Sequence, residues 1–297
     1  MESNEKESSL IQLEVKNLSK IFDTKLVVND ISFTAPKGQI VGFLGPNGAG
    51  KTTTMRMVTG FLSPTMGTVH LNGIDILKNP VKAKQQFGYL PEGAPSYLDM
   101  RVYDFLKFIA KLRGYRNFKL IDCLDRVINQ VNLHEVLNKS IDTLSKGFKR
   151  RVGLAQAILH NPPILILDEP TDGLDPNQKH EVRELIKDMA KDKVIILSTH
   201  ILEEVEAICN RVIVISVGKI IADGTPRELA FDEYKHTVKL IVKSPEKNGN
   251  IDVHSLHQQL SQVVLQKNLE LVELNSNSGE LEEFFRRITK ANYQEVN

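Results

Sequence analysis

Gly45-Pro46-Asn47-Gly48-Ala49-Gly50-Lys51-Thr52 matches the phosphate-binding loop pattern G-x-x-x-x-G-K-[ST] at every fixed position. The context that the pattern needs is present on both sides. Gln39-Ile40-Val41-Gly42-Phe43-Leu44 reads as a short buried strand, and residues 53–59 read as the first turns of a helix closed by Gly60. Glycines let successive backbone N–H groups turn toward a phosphate, and a helix N-terminus adds partial positive charge. In this frame Lys51 reaches the β- and γ-phosphates of a nucleoside triphosphate, Thr52 ligates Mg²⁺ through its hydroxyl, and Thr53 follows it in the cradle. The loop names the ligand and leaves open what its energy drives.

Composition narrows the classes. A chain of 297 residues suggests two domains, or one large domain with an appendage. Apolar content of 41% and charged content of 25% are those of an ordinary globular protein. A net charge of +1 gives no overall attraction to nucleic acid or acidic lipid, so no nucleic-acid partner is expected. Cys123 and Cys209 lie far apart, in no metal-ligand spacing, and suit a reducing compartment. The polar start, Met1-Glu2-Ser3-Asn4-Glu5, has no apolar core of a secretory signal, and no apolar run approaches the roughly 18 residues of a membrane span. These features predict a cytoplasmic chain that reaches a membrane only through a partner.

Along the chain, residues 1–10 read as a disordered tail. Leu13-Glu14-Val15 and Ile31-Ser32-Phe33-Thr34 alternate like half-buried strands, and 67–73 is a strand ending in a turn. Phe87-Gly88-Tyr89-Leu90-Pro91-Glu92 is a buried strand stopped by proline. From about 93 to 160 apolar residues recur at helical spacing (Val102, Phe105, Leu106, Ile109; Leu124, Val127, Ile128, Val131), which predicts a helical insert. The α/β frame resumes with Ile164-Leu165-Ile166-Leu167 and Val194-Ile195-Ile196-Leu197, uninterrupted runs expected of parallel strands covered on both faces. Residues 212–215 and 219–221 read as a hairpin around Gly218. Beyond 232 short alternating strands and two helices predict a small α+β appendage over 233–297. The fold class is therefore α/β: a phosphate-loop NTPase core with a mixed sheet, an antiparallel β subdomain, an inserted helical subdomain and the appendage.

The run into Asp168-Glu169 supplies the second half of a triphosphatase: Asp168 to hold Mg²⁺ opposite Thr52, and Glu169 to polarise the attacking water as general base. His200 ends the next strand, where it can contact the γ-phosphate. Five elements in this order and spacing resemble the ATPase subunits of ABC transporters: the loop at 45–52; Tyr89-Leu90-Pro91-Glu92 at the Q-loop position; Leu144-Ser145-Lys146-Gly147-Phe148 as signature; residues 165–171 with Gly173-Leu174-Asp175 as Walker B and D-loop; and His200 as switch histidine. The resemblance covers about 11–232 and implies ATP and Mg²⁺ as ligands, with Lys51, Glu169 and His200 catalytic and Thr52, Asp168 and Glu92 around the metal. It further implies a head-to-tail dimer with a second copy or a paralogous ATPase subunit. Ser145, Lys146 and Gly147 would bind the partner's ATP, Asp175 would act across the interface, and Phe22 would stack on adenine. Integral membrane permease subunits would dock the helical insert on the cytoplasmic face of the membrane, with Tyr97, Leu98, Met100 and Tyr103 as exposed candidates.

Three positions depart from the family pattern. Glu92 stands for the usual glutamine and adds negative charge near the phosphates, while Lys146 and Phe148 replace a glycine and a glutamine. A Leu-Pro-Glu Q-loop with a Leu-Ser-Lys-Gly signature is similar in style to the antibiotic-export and gliding-motility type subunits, which implies an exporter. Two other classes compete. A soluble ABC ATPase acting on ribosomes carries tandem cassettes, and one acting on DNA inserts a long coiled coil; this chain has one cassette and no sustained heptads between Lys51 and Ser145. A nucleotide-gated module without turnover is suggested only by Glu92 and Phe148.

Overall fold

The computed structural model describes residues 11–93 and 97–231; the expected tail (1–10) and appendage (233–297) lie outside them. The chain opens with an antiparallel hairpin, β1 (Ile11–Phe22) and β2 (Lys25–Pro36). β3 (Ile40–Leu44) starts a second sheet and runs through the glycine-rich loop into α1 (Lys51–Val58). β4 (Met66–Leu71) and β5 (Ile74–Asp75) return to the hairpin, and α2 (Pro80–Lys84) leads to β6 (Phe87–Leu90). Three helices follow: α3 (Val102–Leu112), α4 (Asn117–Gln130) and α5 (Lys146–Ile158). The frame then closes with β7 (Ile164–Asp168), α6 (Pro176–Ala190), β8 (Val194–Thr199), α7 (Leu202–Ile208), β9 (Arg211–Ser216), β10 (Lys219–Gly224) and α8 (Pro226–Phe231).

The large sheet has the order β10-β9-β3-β8-β7-β6, parallel except for β10, and the small sheet has the order β2-β1-β4-β5, antiparallel throughout. Both faces of the large sheet are covered, which is why its central strands are apolar without alternation. Ile40, Leu44, Leu165, Leu167, Ile195 and Leu197 pack with Phe105, Leu106, Val127 and Leu154 of the helical side. Val41, Phe43, Ile166 and Ile196 pack on the other face with Met55 and Val58 of α1 and with Leu13, Val15 and Val69 of the small sheet. Each fully buried aliphatic side chain contributes roughly 1.5–3 kcal/mol, so the two cores clamp the ends of β3, β7 and β8 from both sides. A side chain at Gly88 would lie 2.1 Å from the Ala157 carbonyl oxygen; glycine there lets α5 lie directly on β6.

Two expectations change. β1 and β2 are far longer than the three- and four-residue runs read from alternation, because their register shifts between Val15 and Leu18 and again around Lys20. Asn17 sits at φ 48, the left-handed region, and such bulges flip the inward face and erase the period-two signal. Of the four candidate docking residues, Tyr97 and Leu98 are 59% and 52% exposed. Met100 and Tyr103 are instead half-buried against the helical core.

Candidate nucleotide site

The strand ends bring the predicted residues together. Gly45 follows β3, its N–H reaches the Thr199 carbonyl at 3.4 Å, and any β-carbon there would fall 2.4 Å from the Ile215 carbonyl oxygen. Only glycine fits this passage. Pro46, Asn47 and Gly48 form the outer turn, with Asn47 and Gly48 exposed, and Ala49 donates back to the Pro46 carbonyl at 3.2 Å. Gly50 caps α1 in the left-handed conformation at φ 104. No side chain caps α1 and no acid occupies its first turn, so its leading N–H groups face the loop uncontested. Thr52 and Thr53, half-buried, lie in that first turn.

Lys51 is 6% exposed, donates to the carbonyls of Gly45 at 2.8 Å and Pro46 at 3.3 Å, and stands 3.7 Å from Glu169. Burial pulls its pKa below the ordinary lysine value, opposed by the negative charges of Glu169, Asp168 and Glu92. Glu169 is fixed from three sides. Its N–H donates to the Ser198 carbonyl at 3.0 Å, its Oε2 lies 2.9 Å from His200 Nδ1, and its backbone is held at φ 49. A non-glycine residue in that region costs about 1–3 kcal/mol and persists only where its surroundings impose it. An ionised carboxylate has no proton to give, so Nδ1–H of His200 donates and Nε2 is left for the site. The His200 side chain is 40% exposed.

Asp168 is fully buried, and its Oδ1 accepts from the Ser198 hydroxyl, while Oδ2 has no partner. Burial raises its pKa above the ordinary carboxylate value, although Ser198 and the nearby Thr52 hydroxyl favour the charged form. Glu92 is exposed at the mouth, close enough for its charge to act on Lys51 and Asp168.

Three consecutive residues of β8 and its exit therefore hold three acids: Ser198 holds Asp168, His200 holds Glu169, and Thr199 holds Glu204. Thr199 Oγ1 donates to Glu204 at 2.7 Å and accepts from Ile201 N at 3.0 Å. Ser198, Thr199 and Glu204 went unread in the sequence. Ser198-Thr199 beside His200 was a faint signal, since hydroxyls ending an aliphatic strand are placed there to bond something.

Ser145, Gly147 and Asp175 gather elsewhere. Exposed Ser145 caps α5, its hydroxyl oxygen accepting from Phe148 N at 3.4 Å, which leaves the hydroxyl proton free to donate. Asp175 caps α6 by accepting from Gln178 N at 3.0 Å. Ser145, Gly147, Phe148, Asp175 and Gln178 line a cavity of about 640 Å³ that includes none of residues 45–53. Lys146 lies beside Gly173. Phe22 closes β1 with its ring 44% exposed and the Lys20 ammonium 5.1 Å from the ring centroid. Among the described residues no three His, Cys, Asp or Glu side chains form a metal cage, and no helix is long and apolar enough to cross a membrane.

A parallel sheet whose strand ends carry a phosphate loop, a buried Asp-Glu pair and a histidine defines a phosphate-loop nucleoside triphosphatase. Residues 28–172 match the ABC transporter family model. The chain is 37% identical over 231 residues to an uncharacterised ABC transporter ATP-binding protein, YxlF, of Bacillus subtilis, covering 78% of this chain and 77% of that one. It is 35% identical over 222 residues to a Nod factor export ATP-binding protein I of Cupriavidus metallidurans, covering 74% and 73%. A solved ATP binding subunit of an ABC transporter superposes with TM-score 0.68 at 32% identity, over 75% of this chain and 93% of that one. The chain belongs to the ATP-binding subunits of ABC transporters, ATP-hydrolysing proteins that work with membrane permease components.

Proposed function

We propose that this chain powers an exporter from the cytoplasmic face of the membrane, two ATPase subunits closing head-to-tail on two ATP molecules. The observation that carries the catalytic reading is the chain Lys51–Glu169–His200 beside the unpartnered buried oxygen of Asp168. Glu169 takes the proton of the attacking water, its carboxylate aimed by His200 and the strained backbone. Lys51 and the α1 N-terminus hold the β- and γ-phosphates; His200 Nε2 reaches the γ-phosphate and donates to it when the imidazole is protonated.

A buried carboxylate oxygen without a partner beside a threonine hydroxyl is a fitting donor set for a hard cation that draws its other ligands from phosphate and water. Thr52, Asp168 and Glu92 would hold Mg²⁺, which supplies neutralisation of the charge on the β- and γ-phosphates. Ser145 and Gly147 lie outside the Lys51 site, with a free hydroxyl proton at a helix start. This supports their serving the ATP of a second copy or paralogous subunit, with Lys146 adding positive charge and Asp175 crossing the same interface. Phe22 stacks on adenine. The export direction is supported by the relative named for Nod factor export. Exposed Tyr97 and Leu98 on the helical side offer the permease contact.

The test compares ATP hydrolysis by the purified protein and Glu169→Gln, with and without the membrane partner. The variant is expected to retain ATP binding and lose roughly 10²–10⁴-fold in rate. Equal near-zero rates in both proteins with the partner present would overturn the enzymatic reading. Stimulation by RNA or ribosomes instead of the permease would overturn the transport reading.

A further inference from the structure

Three consecutive cations, Lys149, Arg150 and Arg151, occupy the second turn of α5, about 100° apart around the axis. They therefore serve different surroundings. Lys149 Nζ donates to the Asp142 carbonyl at 2.8 Å. Arg151 pairs with Glu181, and its guanidinium lies 5.5 Å from the Phe148 ring centroid. Both stay on the helical side. Arg150 turns the other way: half-buried, its Nη1 donates to the Pro91 carbonyl at 3.2 Å, at the end of β6 and immediately before Glu92. The charges of Asp172, Glu92, Asp168 and Glu169 all act on it through space.

Glu92, Asp168 and Glu169 act on both Arg150 and Lys51, which sit on different helices, and Asp172 acts on Arg150 besides. Lys51 is already committed to the phosphate loop and to Glu169. Glu92 forms no ion pair among the described residues and brings one more negative charge to a place meant for an anion. The same helix carries Ser145 at its N-terminus, so Arg150 connects the strand end of one nucleotide site to the surface that faces the other.

We propose that Arg150 is a positioning residue of the nucleotide site: its guanidinium pins the Pro91 carbonyl and supplies the charge that lets Glu92 stand beside ATP. The inference rests on the nucleotide site proposed above. It makes the glutamate at 92 and the arginine at 150 a matched pair, each tolerable because of the other. A hydrogen bond to Pro91 alone would serve any residue at 92; a counter-charge serves only glutamate. The two roles are separable in a double-mutant cycle.

The experiment measures the Kd of MgATP with a fluorescent ATP analogue, and kcat, for the full chain and for Arg150→Gln, Arg150→Lys, Glu92→Gln and the double variant Glu92→Gln/Arg150→Gln. Arg150→Gln is expected to weaken MgATP binding about tenfold in the native background and less than threefold in the Glu92→Gln background. Arg150→Lys, which keeps the charge, is expected to stay within about threefold of the native Kd. Equal losses in both backgrounds, or an Arg150→Lys as weak as Arg150→Gln, would overturn the proposal. Circular dichroism checks that each variant is folded; should Arg150→Gln fail to fold, Arg150→Met with and without Glu92→Gln carries the same comparison. Glu169→Gln is run alongside. If the native protein fails to bind ATP, or Glu169→Gln hydrolyses it at the native rate, the nucleotide site itself is misread and this inference falls with it. If both behave as expected and the cycle shows no coupling, only the role of Arg150 is refuted.

Discussion

Replacing Ser198 by alanine removes the hydroxyl that bonds Asp168 Oδ1 and leaves the nearby Thr52 hydroxyl as the remaining side chain that favours its charge. Asp168 and Ser198 are both fully buried, the hydroxyl is the partner of Asp168 Oδ1, and Oδ2 has none. The variant leaves a buried carboxylate whose Oδ1 has lost its partner, with only the nearby Thr52 hydroxyl still favouring the charge. A hydrogen bond to a charged group is worth about 1.5–3 kcal/mol, against about 0.5–1.5 for a neutral one. Ser198→Ala should therefore destabilise the protein by about 2 kcal/mol near pH 8. With Asp168→Asn beneath it, the same change should cost about 1 kcal/mol, giving a coupling of about 1 kcal/mol. The chain has no tryptophan, so urea unfolding is followed by far-ultraviolet circular dichroism.

The pH dependence has a definite sign. Burial raises Asp168 above its ordinary 3.8, so the folded protein holds the extra proton between that value and the raised one. The stability that protonation gives is fully present below 3.8 and is lost as pH rises through the folded value. The hydroxyl favours the ionised form, so the cost of Ser198→Ala should shrink as pH falls through this window. A cost below about 0.5 kcal/mol at pH 8, or equal costs in the native and Asp168→Asn backgrounds, would refute the view that Ser198 supports the charge of Asp168.

Other outcomes follow from single contacts. His160 is pushed down to about 4 by burial and by neighbouring Arg113, while its Nε2 reaches the Phe87 carbonyl at 3.1 Å. The unfolded chain takes up that proton first, so stability should fall by on the order of 3 kcal/mol between pH 6.5 and 4, and His160→Gln should flatten that slope in urea titrations. Val217 sits at φ 47 and is 41% exposed. Val217→Asn, better suited to the left-handed region, should raise stability by about 0.5–1.5 kcal/mol, read from the urea midpoint. Phe22→Ala should weaken ATP-analogue binding by about 1 kcal/mol, or roughly fivefold, while the unfolding free energy changes by no more than about 0.5 kcal/mol, since Phe22 is 44% exposed and lies outside the core.

The loop at 45–52 was legible because its chemistry is local: glycines, a lysine and a threonine at fixed spacing need only a strand before them and a helix after. The acids at 168 and 169 were legible for the same reason, as polar residues ending an aliphatic strand. The small sheet was legible only in fragments, because bulges around Asn17 and Lys20 break the alternation on which a strand reading depends. Tyr103 shows the same limit in the helices, where a helical stripe marks apolar residues without saying how deeply each one packs.

By itself, then, the sequence determined the ligand class and the loop and strand-end residues that the fold gathers, because a phosphate loop and a strand-end Asp-Glu pair carry their chemistry within a few residues. The tertiary structure alone decided what holds them. Ser198 reaches Asp168 from thirty positions away and Arg150 reaches Pro91 from fifty-nine, and both contacts exist only because neighbouring strands and a helix resting on Gly88 bring them side by side. Spacing along the chain cannot encode such pairs; sheet order does.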